Sequence, residues 1–368
     1  MVRSSGQVTV ALALREREPS TGLAVRHLLE QSTDQFQAWF AEAGGPSYRA
    51  AQVRRWLFQR GASGFDEMTD LPKALRSRLA DEFHIWTSRV VECRRSDDQT
   101  QKLLLELADG QRIECVLLRD DRRHCTVCIS TQVGCAMGCV FCASGLEGVV
   151  RNLTTGEILE EILQLRRLLV ESERLSHVVV MGMGEPLANL DRLLPALDLA
   201  SSPAGLGISA RRITISTVGL PAAIRRLAAQ DCQYHLAVSL HAPDDELRNR
   251  LVPTNRKIGI EAILSAADDY FTATGRRVTY EYVLLDALND HAEHARRLAA
   301  ILKGRPALVN LIPYNPVAGL PYGTPTPEAT ARFVAILRQT GLTVQVRYRK
   351  GDRIEAACGQ LRRSLAGC

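Results

Sequence analysis

The sequence predicts an α/β fold built on a parallel sheet with crossover helices, and three observations carry that reading. The runs "SHVVVMG", "RITISTV", "YHLAVSLH", "VTYEYVLL" and "ALVNLIPYN" recur as strands through the second half of the chain. Helical stretches separate them. The first has Thr154 and Glu157 as a capping box and Ile158, Ile162, Leu165 and Leu169 on one face. Counting "CTVCISTQV" as the opening strand gives six β/α units, and 368 residues suffice for these plus a smaller domain. Six units make an incomplete barrel or an open doubly wound sheet, and both place function at the C-terminal ends of the strands.

Ahead of these units, residues 29–84 read as small helices, with "SYRAAQVRRWLFQR" followed by "LPKALRSRLADEF" and Pro72 at a first-turn position. A β-hairpin follows, "KLLLEL" and "QRIECVLL" joined at Ala108–Gly110. The expected organisation is a flexible extension over 1–28 and a helical accessory domain with linker over 29–100. The barrel core with a C-terminal catalytic segment follows over 101–363, then a tail over 364–368.

The net charge of +5 tolerates a polyanionic partner without requiring one. Arg49, Arg54, Arg55, Arg60, Lys73, Arg76 and Arg78 make the helical part basic, which suits a solvated face as well as an RNA-contacting one. A second basic stretch, with Arg347, Arg349, Lys350, Arg353, Arg362 and Arg363, lies near the C-terminus and suits a phosphate backbone. The apolar run "VTVALAL" is too short to span a bilayer and no cleavage site follows it. A cytoplasmic protein with no membrane partner is expected.

Ten cysteines in such a chain point to metal binding or chemistry before disulfides. Four of them crowd into "CISTQVGCAMGCVFC". Cys135, Cys139 and Cys142 form C-x-x-x-C-x-x-C on a loop with Gly134, Gly138 and Gly145. Three thiolates there can hold one face of a four-iron cluster and leave one iron open. A zinc site would need a fourth ligand, from Cys128, Cys125 or His124, and the spacing is unlike paired C-x-x-C knuckles.

With Phe141 before its last cysteine, this motif resembles the signature of radical S-adenosylmethionine (SAM) enzymes. "SYRAAQ", "DEMTDLPKALR", "GMGEPLAN", "ISTVGL", "AVSLHAPDDELRNRLVPTNRK", "IPYNP" and "ACGQL" follow in the order of the RlmN/Cfr family of RNA adenosine methyltransferases. The resemblance runs from roughly residue 45 to 363. It implies a partial (β/α)6 TIM-type radical SAM barrel holding one [4Fe-4S] cluster on Cys135, Cys139 and Cys142.

The resemblance also implies the chemistry. Two SAM are consumed per turnover, one to methylate Cys358 and one to give a 5′-deoxyadenosyl radical that abstracts hydrogen from the S-methyl group. The resulting adduct with adenine is resolved by Cys128, which forms a transient disulfide with Cys358, while Glu114 accepts the ring proton. Gly184, Glu185, Ser216, Ser239, Leu240, His241 and Asn315 fall at strand ends and correspond to the SAM-binding positions. The implied partners are 23S rRNA, tRNA and an electron donor such as flavodoxin or ferredoxin, with the enzyme a monomer. Carbon 2 of adenosine is the expected target, Cfr-like carbon 8 methylation the alternative, and a zinc-containing RNA-binding protein the remote one. Cys93, Cys115, Cys125, Cys232 and Cys368 are given no role.

Overall fold

The computed structural model of the chain describes residues 26–120, 124–347, 351 and 354–362. Residues 1–25 of the expected 1–28 extension, the tail over 364–368 with Cys368, and Arg349, Lys350, Arg353 and Arg363 lie outside the described residues, whereas residues 26–28 join the fold as a short strand and a buried leucine.

The chain opens with a helical unit. β1 (Arg26–His27) pairs in parallel with β2 (Phe83–His84), and α1 (Thr33–Glu42), α2 (Tyr48–Arg55) and α3 (Lys73–Glu82) lie between them. Ser32 and Gln35 cap α1 reciprocally. Phe36 meets Phe40 and Phe83 edge to face, with ring centroids 5.0 and 5.8 Å apart, so the unit has an aromatic core of its own. Its arginines are largely committed within the unit: Arg49 to the Asp70 carbonyl, Arg54 to Thr33, Arg78 to Glu82.

β3 (Arg89–Arg95), β4 (Gln101–Glu106) and β5 (Arg112–Arg119) run antiparallel, and β6 (His124–Cys128) joins β5 with Val116 opposite Cys128. β7 (Gln132–Gly134) and β8 (Val149–Asn152) form a separate small ribbon around the cysteine loop. The helix α4 (Thr155–Arg166) follows, with the predicted capping box of Thr154 and Glu157 in place. β9 (Arg174–Val180), α5 (Leu190–Ser201), β10 (Ile213–Thr217), α6 (Pro221–Ala228) and β11 (His235–Ser239) come next. They lead into α7 (Asp245–Leu251), α8 (Ile260–Thr274), β12 (Val278–Leu284), α9 (Ala292–Leu302), β13 (Ala307–Pro313), α10 (Pro327–Gln339) and β14 (Thr343–Val346).

The main sheet has ten strands in the order β14-β13-β12-β11-β10-β9-β6-β5-β4-β3. The run from β6 to β14 is parallel, an open partial barrel with the hairpin strands continuing one edge. Leu236, Val238, Tyr280, Tyr282, Val309 and Leu311 are buried, which explains the unbroken apolar character of these runs.

Three features differ from the sequence reading. The opening strand divides, because Thr131 turns its N–H to the Met183 carbonyl and Ser130 gives its N–H to the Glu161 carboxylate. Arg89–Arg95, within the stretch read as linker, is an edge strand of the sheet. A seventh parallel strand, β14, sits at the opposite edge.

The helical unit docks on the barrel through several polar contacts, among them Arg166 of α4 to the Phe58 and Gln59 carbonyls and the Glu30 carboxylate to the Gly156 N–H, with one buried carboxylate at the junction. Glu160 of α4 is fully buried and accepts from the N–H groups of Thr87 and Ser88, at 2.6 and 2.9 Å, while His27 pairs with it at 3.0 Å.

Candidate active site

The cysteine loop is shaped by backbone needs at its edges. Gly134 has φ +79°, and a Cβ there would lie 2.0 Å from the Gly148 carbonyl oxygen. The loop is then held from outside: Val140 donates to the Leu251 carbonyl at 3.1 Å and Thr254 to the Met137 carbonyl at 3.1 Å. Cys135, Cys139 and Cys142 all line one cavity of about 150 Å³ at the C-terminal ends of the strands. Among the described residues no three His, Cys, Asp or Glu side chains converge as they would around a single ion. Three thiols spread around a cavity fit a four-iron cluster, which is larger than an ion.

The same cavity is lined by Gly184, Glu185, Ser216, Ser239, His241 and Asn315. Gly184 approaches closely, with φ +103° and space for a Cβ only 2.7 Å from that of Gln132. Burial pushes the Glu185 carboxyl up, although its oxygens accept from the Val218 and Leu187 N–H groups at 2.7 and 3.0 Å. His241 holds a left-handed backbone at φ +60°, and its Nδ1 accepts from the Val283 N–H at 3.1 Å. Burial and then the Arg248 charge push its pKa down to about 3, so the ring is neutral and carries its proton on Nε2. Leu240 alone of the expected set does not line the cavity; its main chain is taken by Glu281 and Arg248. Asn315 Oδ1 is buried without a partner, an acceptor left for a ligand with N–H or O–H groups. A SAM molecule, rich in such donors, fits that feature.

Sequence reasoning missed two charged groups here. Arg248 of α7 is fully buried, and it donates to the carbonyls of Val218, Ser239 and Leu240 and to Asn255. One guanidinium thus braces the ends of two neighbouring strands beneath the cysteine loop. Glu281 of β12 is buried and accepts from Ser216 Oγ at 2.8 Å.

Cys358 lies on a C-terminal segment strapped across the strand ends. Asn315 Nδ2 donates to the Cys358 carbonyl at 3.1 Å, Ala143 N–H to the Gly359 carbonyl at 2.8 Å, and Gln360 Nε2 to the Pro316 carbonyl at 2.9 Å. A second cavity, of about 640 Å³, runs through the barrel interior. Both cavities are lined by Met181, Glu281, Ile312, Asn315 and Cys358, so Cys358 stands at their junction.

Cys128, at the end of β6, lines the larger cavity with Cys358. Burial pushes its thiol up to about 12, a Cys358 charge adds to this, and Arg347 opposes it. Arg347, expected to meet an RNA phosphate, faces this interior instead: it lines the larger cavity and its Nη1 contacts Met181 Sδ at 3.5 Å. β14 delivers it there, with the Arg347 N–H continuing the sheet to the Leu311 carbonyl at 2.8 Å.

Glu114 lines neither cavity. It is buried on β5, ion-paired to Lys102 at 2.8 Å, and accepts the Arg362 N–H at 2.9 Å. Burial pushes its carboxyl above the usual range, and the Lys102 charge works against that.

Known proteins resemble the chain over most of its length. Residues 129–299 match the Radical SAM superfamily, and residues 26–85 match the ribosomal RNA large subunit methyltransferase N-terminal domain. The chain is 59% identical over 364 residues to a probable dual-specificity RNA methyltransferase RlmN of Rhodopirellula baltica, covering 99% of this chain and 98% of that protein. It is 47% identical to the protein of the same description from Symbiobacterium thermophilum, covering 94% and 91%. The crystal structure of a radical SAM methyltransferase from Sphaerobacter thermophilus superposes with a TM-score of 0.89 at 43% identity, covering 92% of this chain and all of that one.

Proposed function

The chain belongs to the RlmN family of radical SAM RNA methyltransferases, and from that premise we propose that its product is 2-methyladenosine in two RNAs. The substrates in this reading are an adenosine of 23S rRNA in the peptidyl-transferase region and the adenosine next to the anticodon of tRNA. The observation that carries it is the place of Cys358 at the junction of two cavities, one lined by Cys135, Cys139 and Cys142 and the other by Cys128.

Carbon 2 of adenine is neither acidic nor nucleophilic, so direct displacement on a methyl donor fails. A cluster on Cys135, Cys139 and Cys142 would supply the electron that turns one SAM into a hydrogen-abstracting radical source, a second SAM providing the methyl group. Cys358 takes that methyl on its sulfur and bonds through it to the base. Cys128 then attacks the Cys358 sulfur, closing a disulfide as the product leaves. Glu114 accepts the ring proton. Gly184, Glu185, Ser216, Ser239, His241 and Asn315 orient the cosubstrate, and Leu240 contributes through the main chain that its neighbours fix.

A monomer fed by flavodoxin or ferredoxin and working in the cytoplasm, where both RNAs are found, completes the proposal. The helical unit between β1 and β2 acts as the accessory RNA-binding part. No helix among the described residues is long and apolar enough to cross a membrane.

The test is intact mass of the protein expressed in cells, wild type beside Cys128→Ala, with nucleoside analysis of the RNA. One added methyl on Cys358 of the wild type and covalently trapped RNA on Cys128→Ala are expected. A fully iron-loaded protein with neither would overturn the methyl-cysteine route, and 8-methyladenosine would overturn the regiochemistry.

A further inference from the structure

Lys102 is buried to 4% exposure on β4 and serves none of the steps above. A lone ammonium so buried is costly, and its partner is Glu114, 2.8 Å away and equally enclosed. The ammonium does more than neutralise that carboxylate. Its Nζ also donates to the Glu355 carbonyl at 3.0 Å, while the other Glu114 oxygen accepts the Arg362 N–H at 2.9 Å. Glu355 lies three residues before Cys358 and Arg362 four after it, so the hairpin's ion pair grips the cysteine segment on both sides.

We propose that Lys102 is a positioning residue for methyl transfer to RNA, holding Glu114 ionised and registering the Cys358 segment against it. The proposal rests on the reading in which Glu114 accepts the ring proton. In that step the C–H bond at carbon 2 gives its proton to a carboxylate oxygen and leaves its electron pair in the ring. A neutral carboxylic acid cannot do this.

Burial alone drives Glu114 toward the neutral form, and the first opposing influence is Lys102, with Arg94 of β3 farther down the order. Loss of Lys102 removes the largest of these opposing influences and pushes the carboxyl further toward the neutral form, which cannot accept the ring proton. The Glu355 carbonyl would lose its donor at the same time. The base and the cysteine that holds the adduct are therefore kept in register by one side chain.

The experiment compares Lys102→Met, Lys102→Arg and Glu114→Gln, each with Cys128 intact and Cys358 already methylated, in a single turnover on RNA. Lys102→Met is expected to keep its iron and its S-methyl group. Its adduct should break down about 10²-fold more slowly, the low end of what a general base contributes, so that covalent protein–RNA accumulates. Lys102→Arg should return the rate to within about tenfold, because a guanidinium fork spans the same two acceptors. Lys102→Met combined with Glu114→Gln should be no slower than Glu114→Gln alone, as for two residues on one path. Adduct breakdown at the wild-type rate in Lys102→Met would overturn the proposal. So would loss of iron and S-methylation together in both Lys102 variants, which would confine the lysine to folding. Failure of the underlying reading has a separate signature: Glu114→Gln would then release product as fast as wild type.

Discussion

Asn315 donates its Nδ2–H to the Cys358 carbonyl at 3.1 Å, while its Oδ1 faces the cavity junction with no partner. The residue just beyond β13 thus holds the Cys358 main chain with one half of an amide and keeps the other half for a ligand. Asn315→Ala removes both, and a neutral hydrogen bond is worth about 1 kcal/mol, or roughly fivefold in occupancy. S-methylation of Cys358 should fall by about that factor in Asn315→Ala. It should fall further in Asn315→Asp, where a carboxylate opposes the carbonyl. Peptide mass analysis of Cys358 reads this directly, and full methylation of Asn315→Asp would contradict it.

Arg248 makes a second prediction, in stability and iron content. Its guanidinium satisfies three buried main-chain carbonyls at the ends of β10 and β11 as well as Asn255. Arg248→Met leaves all of these without a donor, and breaking a buried charged network costs about 3–5 kcal/mol. The urea midpoint should drop, and the protein should retain less iron after anaerobic reconstitution, since Val140 and Met137 of the cysteine loop lean on the following turn. Lys cannot fork to several acceptors, so Arg248→Lys should recover little. Unchanged midpoint and iron in Arg248→Met would show that water replaces the brace.

The parts of this molecule legible in the sequence are those whose signal is local. Strand runs such as "HLAVS" and "VTYEYVL" are apolar because both faces are covered, and the cysteine spacing lies within a single loop. Lys102, Arg248 and Glu281 were illegible for a common reason. A charged residue beside apolar neighbours reads as facing water, and only tertiary structure reveals partners 12 or 253 residues away, as for Lys102 with Glu114 and Glu355. Arg347 shows the same limit from the other side: its basic surroundings suggested a phosphate contact, whereas β14 turns it inward to the thiols. β3 was hidden because "RVVECRR" carries many charges and is half-buried throughout its interior, so no apolar alternation marks it.

His241 gives a pH prediction with a definite sign. Its folded pKa is pushed from the ordinary 6.5 down to about 3, so the unfolded chain binds the proton first as pH falls. The stability it supports is fully present above 6.5 and is lost as pH drops from about 6.5 toward 3, at about 1.4 kcal/mol per pH unit. Urea midpoints at pH 7, 6 and 5 should fall more steeply for the wild type than for His241→Asn, whose amide does not titrate. Parallel slopes for the two proteins would remove His241 from the account.

Arg347 makes the last prediction, through Cys128. In the proposed route Cys128 must attack as thiolate, yet burial pushes its thiol up to about 12, and Arg347 is the first influence that lowers it. Arg347→Met should therefore slow breakdown of the covalent RNA adduct at neutral pH by about tenfold, the effect of one further unit on thiolate population. Both enzymes should quicken about tenfold per pH unit from pH 7 to pH 9 with the gap between them unchanged, because both thiols titrate well above that range, and Arg347→Lys should behave nearly as wild type. This separates Arg347 from Lys102, whose loss disables the carboxylate and not the thiol. Adduct breakdown at the wild-type rate in Arg347→Met, together with a weaker, less salt-dependent affinity for RNA, would place the arginine in RNA binding instead.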